Sequence, residues 1–306
     1  MIKEYYSNGK LLLSGEYVVL EGAKAFAMPT KFGQSMTVSE REDGRISWIS
    51  YDVDGKVWMQ EEVALGDIIS NNAISEGSEY YKTLVQVLRA AHSQNPDICK
   101  SGQGYEVICK LTFPRLWGLG TSSTWINNVA QWFAINPYQL LQDSFGGSGY
   151  DIACAQYDKG VFYTLTDKYN PKVELIDFNP SFANDIYFVY LNQKKSSKEA
   201  IANFKSKKSL INEQVTRISV ISQEMSECTN LVDFMSLMNE HEQIMSDVLG
   251  VSTVKQELFN DFEGSIKSLG GWGGDFVMVV TTIDPRDYFI SRGYEVVIRF
   301  KDMMLL

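Results

Sequence analysis

Two glycines and a run of hydroxyls sit where a helix begins, in Pro114-Arg115-Leu116-Trp117-Gly118-Leu119-Gly120-Thr121-Ser122-Ser123-Thr124. The first amides of a helix have no intrahelical partner and lie at the positive end of its dipole. Glycines let an anion approach the backbone closely, and the hydroxyls of Thr121, Ser122 and Ser123 add donors or a metal ligand. Such a stretch can hold phosphate oxygens; the plainer alternative is a turn whose Ser or Thr caps the helix. No Gly-x-x-x-x-Gly-Lys-Ser/Thr string occurs, and Ser123 stands where the dinucleotide fingerprint has its third glycine.

Other stretches add charge and glycine in places that chemistry uses. Lys10 enters the apolar string Leu11-Leu12-Leu13-Ser14-Gly15-Glu16-Tyr17-Val18-Val19. There it either snorkels at the surface or meets phosphate oxygens at a strand mouth. Asp151 follows Gly146-Gly147-Ser148-Gly149-Tyr150; it either caps the helix that starts there or offers a carboxylate to an acceptor hydroxyl. Gly270, Gly271, Gly273 and Gly274 crowd one short loop around Trp272, more glycine than a turn requires. That loop suits backbone closing on phosphates or substrate. Lys194-Lys195-Ser196-Ser197-Lys198 reads as an anion-holding turn or a solvated basic one.

The first stretch resembles the second signature of the GHMP kinases, Pro-x-x-x-Gly-Leu-Gly-Ser-Ser, a family of galacto-, homoserine, mevalonate and phosphomevalonate kinases. Pro114, Gly118, Leu119, Gly120 and Ser122 match in register, and Thr121 replaces the first serine. Asn8-Gly9-Lys10 through Val19 resembles the first signature, with Asn8 in place of proline. Gly146 to Ala153 resembles the Ser-Gly-x-Asp loop of mevalonate and phosphomevalonate kinases, and a subgroup labelled by its Gly-Tyr-Asp-Ile-Ala string. Residues 270–274 resemble the third signature, Gly-Ala-Gly-Gly-Gly, with Trp272 where the family has Gly; Asp275 matches the phosphomevalonate kinase form. Lys194–Lys198 resembles a substrate-contacting Ser/Thr loop, and Leu249-Gly250-Val251-Ser252 resembles the family's Gly-Val-Ser after a long helix.

The resemblance implies a kinase that uses ATP and Mg²⁺. Pro114, Gly118, Leu119, Gly120, Thr121, Ser122 and Ser123 would hold ATP, with Ser122 also on the metal. Lys10 would neutralise the transferred phosphoryl and Asp151 would act on the acceptor, the two facing each other and each kept ionised by the other. Glu16, Ser148, Gly149, Ser196, Ser197, Gly270, Gly271, Gly273 and Gly274 would contact the acceptor, with Trp272 lining the cleft. The acceptor implied is mevalonate or phosphomevalonate; homoserine or a sugar is the alternative, and a catalytically silent nucleotide-binding member the rival. The family's metal-binding Glu is missing from 139–144, leaving Asp143, or ATP with Ser122 and water, for Mg²⁺.

Positioning these residues takes a β-rich first half and a mixed second half. Strand patterns run over 2–6, 11–20, 25–28, 33–40, 45–51, 56–63 and 105–111. Tyr81, Leu84, Val85 and Leu88 predict a helix over 78–92, and Trp125, Val129 and Trp132 predict another after Ser123. Beyond Asp151 come strand patterns at 160–165, 173–177 and 186–191, helical stripes through Ile218 and from Leu231 to Met245, a helix-like run over 254–269, and strands 276–281 and 294–300. The expectation is a two-lobed α+β fold: an ATP-binding lobe over 1–147 and, by the resemblance, a ferredoxin-like lobe over 148–306.

Composition narrows the partners. The 306 residues carry a net charge of −10, which disfavours nucleic acid. Four cysteines without regular spacing read as buried or half-buried thiols of a reducing compartment, and two histidines are too few for a His-rich metal site. No stretch has the length of a membrane span or an N-terminal apolar run. The expected setting is cytoplasmic, the partner a small-molecule phosphoryl acceptor, and the assembly a monomer or homodimer.

Overall fold

The computed structural model describes residues 2–70, 72–74, 76–100, 102–193 and 212–306. Ser196, Ser197 and the neighbouring lysines lie outside the described residues. Strand β1 (Ile2–Ser14) pairs antiparallel with the long β2 (Ala25–Arg41), a single strand where the sequence suggested two. Strand β2 also pairs with β5 (Gly104–Leu111) and β6 (Gly160–Thr164), so it is the hub of the first sheet. Strand β3 (Arg45–Tyr51) runs parallel to β5 and antiparallel to β4 (Val57–Ala64), and β7 (Lys172–Ile176) extends β6.

Among the described residues, five α-helices accompany this sheet: α1 (Leu65–Ile69), α2 (Glu79–Gln94), α3 (Thr121–Phe133), α4 (Pro137–Ser144) and α5 (Tyr150–Gln156). Leu84, Val85 and Leu88, the stripe read from the sequence, are fully buried with Trp48, Val107 and Ile126. Caps mark the helix starts: the Ser78 hydroxyl accepts from Tyr81 N–H, and Asn136 caps α4 just before Pro137 at its first turn.

The second sheet is β8 (Ile186–Tyr190), β9 (Ser265–Leu269), β10 (Phe276–Val280) and β11 (Val297–Arg299), in the antiparallel order β11-β8-β10-β9. That is the ferredoxin-like order. Central β10 is buried at all five positions. Phe276, Met278 and Val280 pack into the main core, while Val277 and Val279 join a second cluster on the opposite face. Helices α6 (Asn212–Glu227) and α7 (Leu231–Leu249) supply Ile218, Ile221, Phe234 and Met238 to the main core; α8 (Val254–Leu258), α9 (Arg286–Ile290) and α10 (Phe300–Met303) complete the lobe. The same core contains Leu11, Leu13, Phe26 and Met28 of the first sheet, so the lobes share one apolar interior.

Two local readings are corrected. Tyr17 to Leu20 is not strand: Tyr17 has φ 60° and the chain coils into a 3₁₀ turn, Val18–Glu21, with both valines buried. The helix-like run 254–269 is one short helix, capped by Thr253 and Gln256, followed by strand β9. All five residues of β9 are buried, so no polar face exposes the period of two. Strands β6 and β7 belong to the first sheet, and the second sheet begins with β8.

Candidate active site

After β5 the chain passes through a 3₁₀ turn, Arg115–Trp117, and reverses at Gly118, with φ 70°. Gly120, with φ 98°, is the N-cap of α3, and no side chain caps the helix. The nearby hydroxyls point their protons backwards. Ser123 Oγ donates to the Gly120 carbonyl at 2.8 Å, and Thr124 Oγ1 to the same carbonyl at 3.1 Å and to Gln34 Oε1 at 3.0 Å. This removes the Ser/Thr N-cap alternative and leaves the opening amides of α3 without a side-chain acceptor. Ser122 is exposed in this first turn, and Thr121 Oγ1 is buried with no hydrogen-bond partner. Leu119 contributes only its backbone here, since its side chain lies in the core.

A buried polar network holds α3 on the sheet beneath, with only Asn127 Oδ1 among its side-chain oxygens lacking a partner. Ser7 Oγ donates to Asn128 Oδ1 at 2.7 Å, Asn128 Nδ2 to Gln34 O at 3.0 Å, and Asn127 Nδ2 to Ser7 Oγ at 2.9 Å. Buried groups of this kind are costly unless paired, so they allow one placement of the helix. Beside Pro114 and Arg115, a cavity of about 410 Å³ is lined by Tyr51, Asp52, Val53 and Lys110. Asp52 Oδ1 accepts from the Arg115 amide at 3.0 Å and ties that cavity to the glycine loop.

Lys10 reaches this loop from β1, at an irregularity between Asn8 and Lys10. Its amide donates to Leu119 O at 2.9 Å and its Nζ to Gly118 O at 3.3 Å. Asn8, which replaces the family proline, donates from Nδ2 to Asp158 Oδ1 at 2.8 Å and so binds β1 to the chain just after α5. Asp151 lies in the first turn of α5, whose N-cap is Gly149 with φ 91°. A Cβ at Gly149 would meet the Tyr163 hydroxyl at 2.9 Å, and that hydroxyl donates to the Ser148 carbonyl. This packing fixes the loop that presents Asp151. Tyr150, the residue before Asp151, has its ring centroid 5.5 Å from Lys10 Nζ.

The electrostatics differ between the two. Burial alone would lower the Lys10 pKa, but Tyr150, Asp151 and Asp275 outweigh it and raise it, so the lysine stays an ammonium. Burial raises the Asp151 pKa, with Lys10 pulling the other way. The expected mutual ionisation therefore holds for the lysine, whereas the aspartate takes up a proton more readily than an ordinary carboxylate. A base needs that property.

The third glycine cluster joins β9 to β10 as a hairpin, with Gly270 at φ 74° and Gly273 at φ 71°, and a turn closed by Gly274 N–H on Gly271 O. It brings Asp275 to the first loop: a Cβ on Gly118 would meet the Asp275 carboxylate at 2.5 Å. Asp275 itself has φ 53°, a conformation that side chains rarely adopt. Trp272 corrects the expectation that it lines the cleft. It is 9% exposed within the main core. Its amide donates to the Tyr17 hydroxyl and its indole N–H to Ser252 O, each at 2.9 Å. The Gly250-Val251-Ser252 turn thus has a structural use.

Glu16 is also placed differently from the acceptor contact expected of it. It is 2% exposed, with Oε1 2.5 Å from Lys267 Nζ and Oε2 3.1 Å from His241 Nε2. Its carboxylate is taken up by an internal charge cluster. Asp143 is exposed and lines a recess with Lys82, Gln86 and Arg89 of α2, not the glycine loop. Among the described residues no cluster of three or more His, Cys, Asp or Glu could hold a metal, and no helix is long and apolar enough to cross a membrane. Sequence reasoning passed over Tyr150 and Lys267. The signal for Tyr150 was its place beside Asp151; Lys267, on a strand buried throughout, offered none.

No family model matches the chain, and no curated protein matches it. Solved structures do. Methanococcus jannaschii mevalonate kinase aligns over 100% of this chain and 98% of its own, with TM-score 0.71 and 18% identity. Lactococcus lactis galactokinase, complexed with galactose, aligns over 100% and 95%, with TM-score 0.69 and 15% identity. Streptococcus pneumoniae phosphomevalonate kinase, in complex with phosphomevalonate and AMPPNP, aligns over 99% and 98%, with TM-score 0.67 and 14% identity. The agreement spans both lobes and nearly the full length of each partner, so this chain shares the two-lobed α+β fold of these solved structures.

Proposed function

We propose that the protein is an ATP-dependent small-molecule kinase that transfers the γ-phosphoryl of ATP to a hydroxyl or phosphate of a small acceptor, with mevalonate or phosphomevalonate as the leading candidates. The observation that carries this reading is the meeting of Lys10 with the uncapped start of α3, its Nζ on Gly118 O and Asp151 near enough to shift its protonation. The opening amides of α3, Gly118 and Gly120 bind the phosphates, and Pro114 and Arg115 lead toward the cavity beside Asp52, which takes the base. Lys10 stays cationic beside the phosphoryl in transit, where negative charge spreads over its oxygens. Asp151, with its raised proton affinity, accepts the acceptor's hydroxyl proton or orients that hydroxyl.

The residues at the helix start fit a magnesium ion. Thr121 Oγ1 is buried without a partner and Ser122 is exposed beside it, two hard oxygen donors at the phosphate end. When bound, the ion would neutralise phosphate charge and orient the nucleotide. Ser148, Gly149 and the 270–274 loop are the proposed walls of the acceptor site, and Ser196 and Ser197 are proposed to contact the acceptor from outside the described residues. The mevalonate kinase and phosphomevalonate kinase matches favour acceptors of that class, and the galactokinase match keeps a sugar as the alternative.

The test is ATP turnover with purified protein across mevalonate, phosphomevalonate, homoserine and galactose, following ADP release and product mass. One acceptor is expected to stimulate ADP release well above the rest. No acceptor-dependent turnover together with tight MgATP binding would instead identify a nucleotide-binding protein without transfer activity.

A further inference from the structure

We propose that Tyr190 and Trp117 are positioning residues for the glycine loop, a clamp by which the second lobe fixes the backbone leading into Gly118 and Gly120; this rests on the kinase reading above. Three consecutive residues of the loop are met from the second lobe. The Tyr190 hydroxyl, at the end of β8, donates to Leu116 O at 3.1 Å. The Trp117 ring stands edge-on to Phe276 of β10, with centroids 5.5 Å apart, and tilted against Tyr190 at 6.3 Å. The Asp275 carboxylate lies against Gly118, where a Cβ would meet it at 2.5 Å. From the first lobe, Phe32 of β2 meets the Trp117 ring edge-on at 5.6 Å.

The residues that hold the loop are themselves fixed by the second sheet. Phe276 is fully buried and lies opposite Tyr190 in the β10–β8 ladder, with ring centroids 5.3 Å apart. The Leu191 amide donates to Asp275 O at 2.8 Å, and the Asp275 amide to Gln193 O at 2.7 Å. Burial and Asp275 raise the Tyr190 pKa, so the phenol keeps the proton it donates. The loop itself has little to hold it. Leu116 is 51% exposed and Gly118 has no side chain. The turn between them closes on one backbone bond, Trp117 N–H to Pro114 O at 2.9 Å. The phenol on Leu116 O and the wedged indole restrain the peptides on either side of Trp117. Backbone donors aimed before the ligand arrives need no reorganisation when it binds, so the clamp favours phosphate binding at Gly118 and Gly120.

The experiment uses the full chain with Tyr190→Phe, which keeps the ring and removes only the donor, and with Trp117→Leu. Tyr288→Phe is the control: it also loses a phenol bond in the second lobe, to Asp261 Oδ1, away from the loop. Exchange of the Trp117 amide, followed by NMR without any ligand, reads the turn directly. One lost hydrogen bond predicts exchange about fivefold faster in Tyr190→Phe and unchanged in Tyr288→Phe. Calorimetry with MgADP and with adenosine reads the consequence. Tyr190→Phe should weaken MgADP about fivefold and leave adenosine, which has no phosphate, unchanged. Trp117→Leu should weaken MgADP as well, and adding Tyr190→Phe to it should cost little more, because the two act on one stretch of backbone. Wild-type Trp117 exchange in Tyr190→Phe would overturn the clamp. Unchanged MgADP affinity, or equal losses for MgADP and adenosine, would overturn its link to phosphate binding. A wild type that binds no MgADP would defeat the kinase reading and this proposal with it; the Trp117 exchange tells that case from failure of the clamp itself.

Discussion

Lys10 and Glu16 stand on one short span of chain and end in opposite surroundings. Lys10 sits half-buried at the mouth of a glycine loop, with donors to spare and carboxylates nearby. Glu16 is sealed between the lobes, where Lys267 and Glu242 come from β9 and α7, and His241 from α7. Both groups are clusters of opposite charge. The first keeps its hydrogen-bonding capacity for a ligand, so its charges are positioned for chemistry. The second uses its capacity internally and serves as a joint. Gly15 N–H donates to His241 Nε2 and Ser14 accepts from Ser222 Oγ, so the entire Ser14-Gly15-Glu16 turn is pinned to the second lobe. A charge in a signature string is therefore not by itself a site charge; what matters is whether its partners are protein or ligand.

The largest effect that would break this comparison is on turnover. Asp151→Asn should cut acceptor-dependent ADP release by about 10²–10⁴-fold while nucleotide binding persists. Lys10→Met should lower turnover as well, and the double variant should lose less than the product of the two, because the residues act as one unit. An Asp151→Asn protein that retains full turnover would remove Asp151 from the chemistry.

The joint should answer in stability instead. Lys267→Met leaves Glu16 buried without its main counter-charge, which should cost about 3–5 kcal/mol in urea unfolding. Adding Glu16→Gln should recover much of that loss. Recovery of less than a tenth would mean that Glu16 and Lys267 are not a coupled pair.

A pH series sharpens the contrast. In the joint, Glu242 and Glu16 face one lysine and a histidine whose pKa burial and Lys267 push down, so one carboxylate is in excess. Glu242 holds the proton: burial raises its pKa to about 8 from an unfolded value of 4.5. The folded state then binds more protons than the unfolded state between these values, and stability falls as pH rises from 4.5 to about 8. Glu16 runs the other way. Burial opposes its ionisation, but Lys267 wins and lowers it to about 2, so its contribution is lost as pH falls from 4.5 toward 2. Glu242→Gln should flatten the upper slope only, as read from unfolding midpoints; an unaltered slope would place the proton elsewhere.

The smallest expected effects separate the loops. Ser122→Ala should weaken MgATP use with little change in melting temperature, because Gly120, not Ser122, caps α3. Trp272→Phe should do the reverse: it loses the indole bond to Ser252 O, worth about 1 kcal/mol, and leaves turnover near wild type. Equal melting-temperature losses in both variants would erase the distinction between cradle and core.

The sequence alone carried the features that local periodicity and turn chemistry can encode. The α2 stripe of Leu84, Val85 and Leu88, the strand from Gly104 to Leu111, the glycines that reverse the chain at Gly118 and Gly120, and the helix that follows them were all legible. So were the residue types of the candidate site, because each belongs to a short string. Which hydroxyl would cap α3, which glycine loop would shelter an indole, and which acidic residue would be spent inside were decided by tertiary contacts. Lys267 and Glu16 lie 251 residues apart, Trp272 and the Tyr17 hydroxyl 255. A helix turn or a strand repeat constrains neighbours a few positions away, and nothing local distinguishes a lysine bound for the interior from one bound for a phosphate. The choice falls to packing: the lobe interface closed over Glu16 and left Lys10 at its edge.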